Sequence, residues 1–279
     1  LTLADKWILS QYNQMLNNVH ESIKTYHLGE YASIMYDFTR NIFCDWYVEI
    51  AKTQVNTPEL KANTQRVLLY VLNGILESLH PVMPHITEEI WQKLPIKRTK
   101  KSIMLAQYPL SVEALIDETV DSQMESVMNL ISSVRNIRQT LNVPLGTKVD
   151  LIIESTNQLE QEAFTDAEKY IEMLAKVKSV EIKPEISDKP YQQSASAMIG
   201  TNKAIVPLAG VIDLDQEVAR QKKKLEKLEK EQKSLQGRLN NEKFTSQAPE
   251  NVIQEAKARC QELEFQINTM NDLISSLAS

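Results

Sequence analysis

Val218-Ala219-Arg220-Gln221-Lys222-Lys223-Lys224-Leu225-Glu226-Lys227-Leu228 opens a stretch in which Val218, Gln221, Leu225, Leu228, Gln232, Leu235 and Leu239 recur at alternating steps of three and four. That spacing marks a heptad helix, whose apolar stripe stays in phase with a facing helix. A second stretch repeats the pattern with Ile253, Ala256, Cys260, Leu263, Ile267, Met270, Ile274 and Leu277. Asn240 to Pro249 separate the two, and a break there favours a hairpin closed on itself over a coiled coil between chains. Each helix of roughly 22 residues would extend about 33 Å. From Glu217 to Arg238 eight cations stand against four acids, whereas Glu250 to Asp272 hold two cations against five acids. Two readings of this polarity stay open. The cations either pair with acids across the hairpin, or present a basic edge to a phosphate backbone.

Working outward, the residues before the hairpin read as helices and then as a small mixed unit. Trp7, Ile8, Met15, Leu16, Val19, Ile23 and Tyr26 recur at helical spacing from residue 3 to about 27, with Thr2 and Asp5 placed to cap the start. A second helix is predicted to about Lys52, a third after Pro58 ending at His80-Pro81, and a short fourth with Ile86, Ile90, Trp91 and Leu94. Four such helices on short connections make an antiparallel bundle. The basic run Lys97-Arg98-Thr99-Lys100-Lys101 reads as a loop and Ile103–Tyr108 as an extended segment. Residues 113–141 read as a long helix that places Arg135 and Arg138 near one exposed face. Beyond Asn142-Val143-Pro144 the pattern predicts strands at Val149–Glu154, Val180–Lys183, Ser196–Ile199, Ala204–Pro207 and Val211–Leu214, with a helix at about Gln158–Val177. The expected organisation is therefore mainly α. A helical bundle spans 1–142 and includes the long helix, a small α+β subdomain spans 143–214, and a coiled-coil arm spans 215–279.

Composition narrows function. The 279 residues carry Lys+Arg 31 against Asp+Glu 37, a net charge of −6, with six glycines and two cysteines. So few glycines argue against a large doubly wound nucleotide-binding fold. Cys44 and Cys260 lie far apart, and His20, His27, His80 and His85 form no ligand pair, so no metal site is expected. No apolar run approaches the ~20 residues of a membrane span, and a reducing, cytoplasmic setting is expected. Phosphate-loop, dinucleotide and nucleophile-elbow motifs are all missing from the sequence. Glu88-Glu89 reads as a solvated helix face, since adjacent helical residues point apart. Trp46, Tyr47 and Trp91 read as core. The chain opens Leu1-Thr2-Leu3 without Met and reads as a piece of something longer.

Several segments together resemble the C-terminal part of the valyl-tRNA synthetase family, class I aminoacyl-tRNA synthetases. They are Leu3-Ala4-Asp5-Lys6-Trp7-Ile8 with Phe43-Cys44-Asp45-Trp46-Tyr47-Val48-Glu49, and His80-Pro81-Val82-Met83-Pro84-His85-Ile86-Thr87-Glu88-Glu89-Ile90-Trp91. To these are added Val134-Arg135-Asn136-Ile137-Arg138 and Val206-Pro207-Leu208-Ala209-Gly210-Val211-Ile212-Asp213-Leu214. Leu239-Asn240-Asn241-Glu242-Lys243-Phe244 with Ala248-Pro249-Glu250-Asn251-Val252 resembles the tip of that family's helical hairpin. The resemblance implies an anticodon-binding bundle, whose first helix would precede Leu1, and a coiled-coil arm at the outer corner of tRNA. It implies tRNA(Val) as partner of a monomer, alongside the N-terminal catalytic and editing domains of the same chain. ATP and Mg would be substrates of that missing catalytic domain, and this part alone would need no cofactor and be inactive. Arg135, Arg138, Arg220, Lys222, Lys223, Lys227 and Lys230 are the candidate tRNA-binding residues. The competing reading is a structural helical module whose heptads bind a protein partner.

Overall fold

The computed structural model describes residues 1–97, 99–187, 191–241 and 249–278. The chain forms two compact units, Leu1–Ile131 with Asn157–Ala175, and Ser132–Thr156 with Lys176–Ser279. These do not follow the three consecutive segments expected from the sequence, because residues 157–175 belong with the bundle.

In the first unit, α1 (Leu3–Lys24) starts at Thr2. The Thr2 hydroxyl accepts from the Asp5 amide and the Asp5 carboxylate from the Thr2 amide, both at 3.1 Å, closing a capping box. Trp7, Ile8, Met15, Leu16 and Val19 form its buried stripe. After α2 (Leu28–Asp37), the helix widens to an i→i+5 register over Phe38–Tyr47 before α3 (Val48–Gln54). The sequence reading has one regular helix here. The wider turn brings Phe38 and Phe43, five residues apart, onto the buried side together with Tyr47. α4 (Pro58–Leu79) and α5 (Pro84–Lys93) each carry proline in the first turn, where a missing amide costs nothing. Trp91 is buried with Leu76 and Ile103, its indole donating to Asn73 Oδ1 at 2.9 Å.

Three expectations in this unit are corrected. Ile103–Leu105 is a single 3₁₀ turn and not an extended segment, because Ser102 Oγ accepts from the Met104 amide at 3.2 Å and Ile103 turns into the core. The long helix, α6 (Glu118–Thr140), begins later than residue 113, since Asp117 accepts from the Thr119 and Val120 amides at 3.0 and 3.1 Å. The helix predicted to Val177 is two, α7 (Gln158–Asp166) and α8 (Glu168–Leu174). A buried polar chain holds α8 to the bundle. Gln54 Nε2 donates to Tyr170 Oη at 2.9 Å and to Thr2 Oγ1 at 2.6 Å, and Gln54 Oε1 accepts from Thr64 at 2.9 Å.

The second unit holds a four-stranded sheet of β1 (Val149–Glu154), β2 (Val177–Lys183), β3 (Ser194–Ile199) and β4 (Asn202–Pro207), in the order β2-β1-β4-β3. β1 runs parallel to β2 and antiparallel to β4, and β3 and β4 form a hairpin. Gly200, at φ +59°, makes the tight turn of that hairpin. Val211–Leu214 is not the fifth strand expected. Gly210 turns the chain at φ +71°, and Asp213 caps α9 (Leu214–Leu239) by accepting from the Gln216 amide at 3.0 Å. α10 (Glu250–Ala278) packs against α9 and against β3.

α1 and α4 approach so closely at Gly74 that an added Cβ would lie 1.8 Å from the Tyr12 hydroxyl. Tyr12 is itself only 2% exposed and has little room to yield. Gly74→Ala is expected to destabilise the bundle by about 1–3 kcal/mol, the usual cost of overpacking. Thermal melting checks it, and Tyr12→Phe in the same chain should recover part of the loss.

Candidate nucleic-acid interface

The arm is built from its seam. Every heptad position named from the sequence is buried or half-buried, with Gln221, Leu263, Ile267, Ile274 and Leu277 fully so. The two heptad stripes therefore face each other within the chain, α9 against α10. The proposed hairpin tip, Glu242 to Ala248, lies outside the described residues. With the seam turned inward, Lys222, Lys223, Lys227 and Lys230 are all exposed. Lys223, Lys227 and Lys230 follow one another at steps of four and three and share a helix face.

Cross-arm charge pairing exists, but it does not use these lysines. Arg259 on α10 donates to Glu231 on α9 through Nε at 3.0 Å and Nη2 at 2.9 Å, and holds Glu262 on its own helix at 2.9 Å. Those bonds, Glu262 first, hold the Arg259 guanidinium above its ordinary pKa. Among the described residues Lys222, Lys223, Lys227 and Lys230 make no ion pair. Phe265, outside the heptad register and 73% exposed, is an aromatic surface that the sequence reading passed over. Heptad phase was the signal that would have found it.

The arginines fare differently. Arg220 grips Glu217 at 2.6 and 2.8 Å and donates to the Thr140 carbonyl, at the end of α6. Glu217 is 6% exposed and also accepts from Gln221, so Arg220 is a clamp at the base of the arm. Arg138 is not on an exposed face with Arg135. It is only 6% exposed and donates to the carbonyls of Lys176 at 3.3 Å and Pro144 at 3.1 Å. Burial pushes its guanidinium below the ordinary pKa. The reason is local, since Val134, Ile137 and Leu141 bury this side of α6 and the chain doubles back at Asn142, φ +50°. Arg135 remains exposed.

An apolar groove of about 1140 Å³ runs along α2 in the bundle, walled by Ile23, Leu28, Met35, Leu79 and Val82, and no described carboxylate lines it. His20, at its edge, is within 3.0 Å of the Pro109 carbonyl. Glu88 and Glu89 do point apart, Glu89 pairing with Lys93 at 2.6 Å, but Glu88 binds its own chain instead of simply facing solvent. Tyr47 and Trp91 are core, the Tyr47 hydroxyl donating to the buried Asp5 at 2.8 Å. Desolvation first, and the Asp5 charge after it, push the Tyr47 phenol upward. Among the described residues no His, Cys, Asp or Glu trio is placed to hold a metal ion. No described helix is long and apolar enough to cross a membrane.

Comparison with known proteins places both halves. Residues 5–153 match the family described as the anticodon-binding domain of tRNA ligase, and residues 213–278 the valyl tRNA synthetase tRNA binding arm. The chain is similar to the valine--tRNA ligase of Enterococcus faecalis, 36% identical over 281 residues that cover 100% of this chain and 31% of the relative. The Listeria innocua ligase is 37% identical, with 92% of this chain and 29% of the relative covered. For the Fervidobacterium nodosum ligase the figures are 37%, 99% and 31%. The chain thus spans less than a third of the length of these relatives.

Because Leu263 is fully buried in the seam, Leu263→Asp is expected to cost more than about 3 kcal/mol and to melt α9 and α10. All three tryptophans, Trp7, Trp46 and Trp91, lie in the bundle unit, so their fluorescence should hold while helical circular dichroism falls.

Proposed function

The chain belongs to the anticodon-binding family of tRNA ligases, in its valyl-tRNA synthetase branch, and we propose that it holds tRNA(Val) for the ligase of which it forms the C-terminal part. The observation that carries this reading is the row Lys223, Lys227 and Lys230, exposed and without an ion pair among the described residues. Glu226, Glu229 and Glu231 lie beside the row in sequence, but among the described residues none of them pairs with it, and Glu231 is engaged by Arg259. Mobile ammonium groups on a rigid helix suit phosphate contacts, which fix the register of an RNA without reading bases. Lys222 extends the basic surface. Arg135 adds a cation from α6, whereas Arg138 and Arg220 serve by fixing the base of the arm. The bundle would meet the anticodon arm, where specificity needs unstacked bases held by aromatic faces and edge hydrogen bonds.

In this reading the chain contributes position and the rest of the ligase contributes chemistry. ATP, Mg and valine are substrates of the catalytic domain, and the ligase works in the cytoplasm as a monomer. The sequence contains neither of the family's ATP-activating signatures, His-x-Gly-His and Lys-Met-Ser-Lys-Ser. Purified alone, the chain is accordingly expected to show no valine-dependent pyrophosphate exchange and no aminoacylation of tRNA.

Replacing Lys223, Lys227 and Lys230 by Ala tests the arm directly. Counterion release predicts that the salt dependence of tRNA binding becomes shallower by about one per cation removed, with little change in sequence preference. Stability should stay within ~0.5 kcal/mol, since exposed, unpaired side chains contribute little. An unchanged salt slope, or a loss of melting temperature in its place, would return these lysines to a structural role.

A further inference from the structure

A second basic surface lies in the bundle unit, far in sequence from the arm. Lys93, Lys97, Arg98, Lys100 and Lys101 fall between Ile90 and Val112, a stretch without one Asp or Glu, in a chain of net charge −6. Lys93 pairs with Glu89 at 2.6 Å. Lys97, Lys100 and Lys101 are exposed and make no ion pair among the described residues, and Arg98 lies outside those residues.

The segment is anchored at both ends. At its start, Trp91 is buried against Leu76 and Ile103, with Leu94 packed on the same cluster. At its end, Gln92 Nε2 donates to the Lys101 carbonyl at 2.8 Å. Glu88 Oε2 accepts from the Ser102 hydroxyl at 2.8 Å and from the Ile103 amide at 3.0 Å, and its other oxygen accepts from Gln92 at 2.6 Å. Both oxygens of the carboxylate that faces this segment are thus engaged by neutral donors, which also lower its pKa, Gln92 most and Ser102 next. The acid fastens the loop and leaves the lysines unneutralised.

From this arrangement we propose that Lys97, Lys100 and Lys101 form a second docking surface for the sugar–phosphate backbone of the RNA, separate from the arm. The inference rests on the tRNA-binding reading and adds a contact region to it. Three features select a phosphate backbone as the occupant. The charge is concentrated and uncompensated. It is carried by ammonium groups without an aromatic platform between Lys97 and Lys101, which suits positioning and not base readout. And the loop's ends are fixed by buried apolar packing and hydrogen bonds, so less order has to be imposed on binding.

The experiment compares the unmodified chain, K97A/K100A/K101A and the arm variant K223A/K227A/K230A. Binding of a labelled tRNA(Val) transcript is followed by anisotropy from about 50 to 200 mM salt. The loop variant is expected to bind about tenfold more weakly at 0.1 M salt and to show a salt slope shallower by about two to three. A plain RNA duplex should lose affinity in the same proportion, since no base is read. The charge-reversed K97E/K100E/K101E should weaken binding further, with an unchanged melting temperature. If the arm variant loses slope and the loop variants do not, the second surface is overturned while the arm reading stands. If the unmodified chain binds neither RNA, both readings fall together.

Discussion

The seam between α9 and α10 is the constraint from which the display of charge on the arm follows. A heptad stripe cannot stay in water at low cost, since each buried leucine-sized chain gains about 1.5–3 kcal/mol. Turning Leu263, Ile267, Ile274 and Leu277 inward fixes the rotation of α10, and the facing stripe fixes that of α9. Once that rotation is set, Lys223, Lys227 and Lys230 have no choice but the outer face. Charge display here is a by-product of apolar packing. That is why the arm can hold many cations without each one needing a partner to be placed.

Where cations meet the body of the second unit, the opposite rule holds. Arg138 donates to the carbonyls of Pro144, in the turn after α6, and of Lys176, ahead of β2, and Arg220 donates to the Thr140 carbonyl and to Glu217. A guanidinium has five donors in a planar fork, so it can collect carbonyls that a turn leaves unpaired. Glu217 and Gln221 complete this base, both buried, Gln221 at a heptad position where the pattern would predict an apolar residue. Polar burial at the foot and apolar burial along the shaft divide the work. The foot gives direction through hydrogen bonds, and the shaft gives length through packing.

The helices, the sheet and the two heptad stripes were legible because each depends on periodicity within its own segment. The failures share another cause, partners remote in sequence. Arg138 and Arg135 look alike three residues apart on one helix, but only the fold brings the Lys176 carbonyl to Arg138. Residues 157–175 read as part of the mixed unit because they lie between two of its strands. What assigns them to the bundle is Tyr170 meeting Gln54, 116 positions away. Local chemistry explains the other errors. Asp213 and Asp117 are helix caps whose effect outweighed the extended or helical pattern around them. Phe38 and Phe43, at a step of five, fit no regular helix stripe until the backbone widens.

An acidic chain that presents cations in restricted places gains selectivity that a uniformly basic one lacks. The overall charge of −6 opposes indiscriminate association with polyanions at distances of a Debye length, about 8–10 Å. On the tRNA-binding reading, attraction comes from short-range contacts with exposed lysines that make no ion pair among the described residues. Glu231 and Glu88 show how that condition is met in each unit. One is held by Arg259 and the other by Gln92, Ser102 and the Ile103 amide, so neither is left to neutralise the lysines near it in sequence. On the proposed reading the acids matter as much as the bases, because engaging Glu231 and Glu88 elsewhere leaves the lysine charge available to RNA.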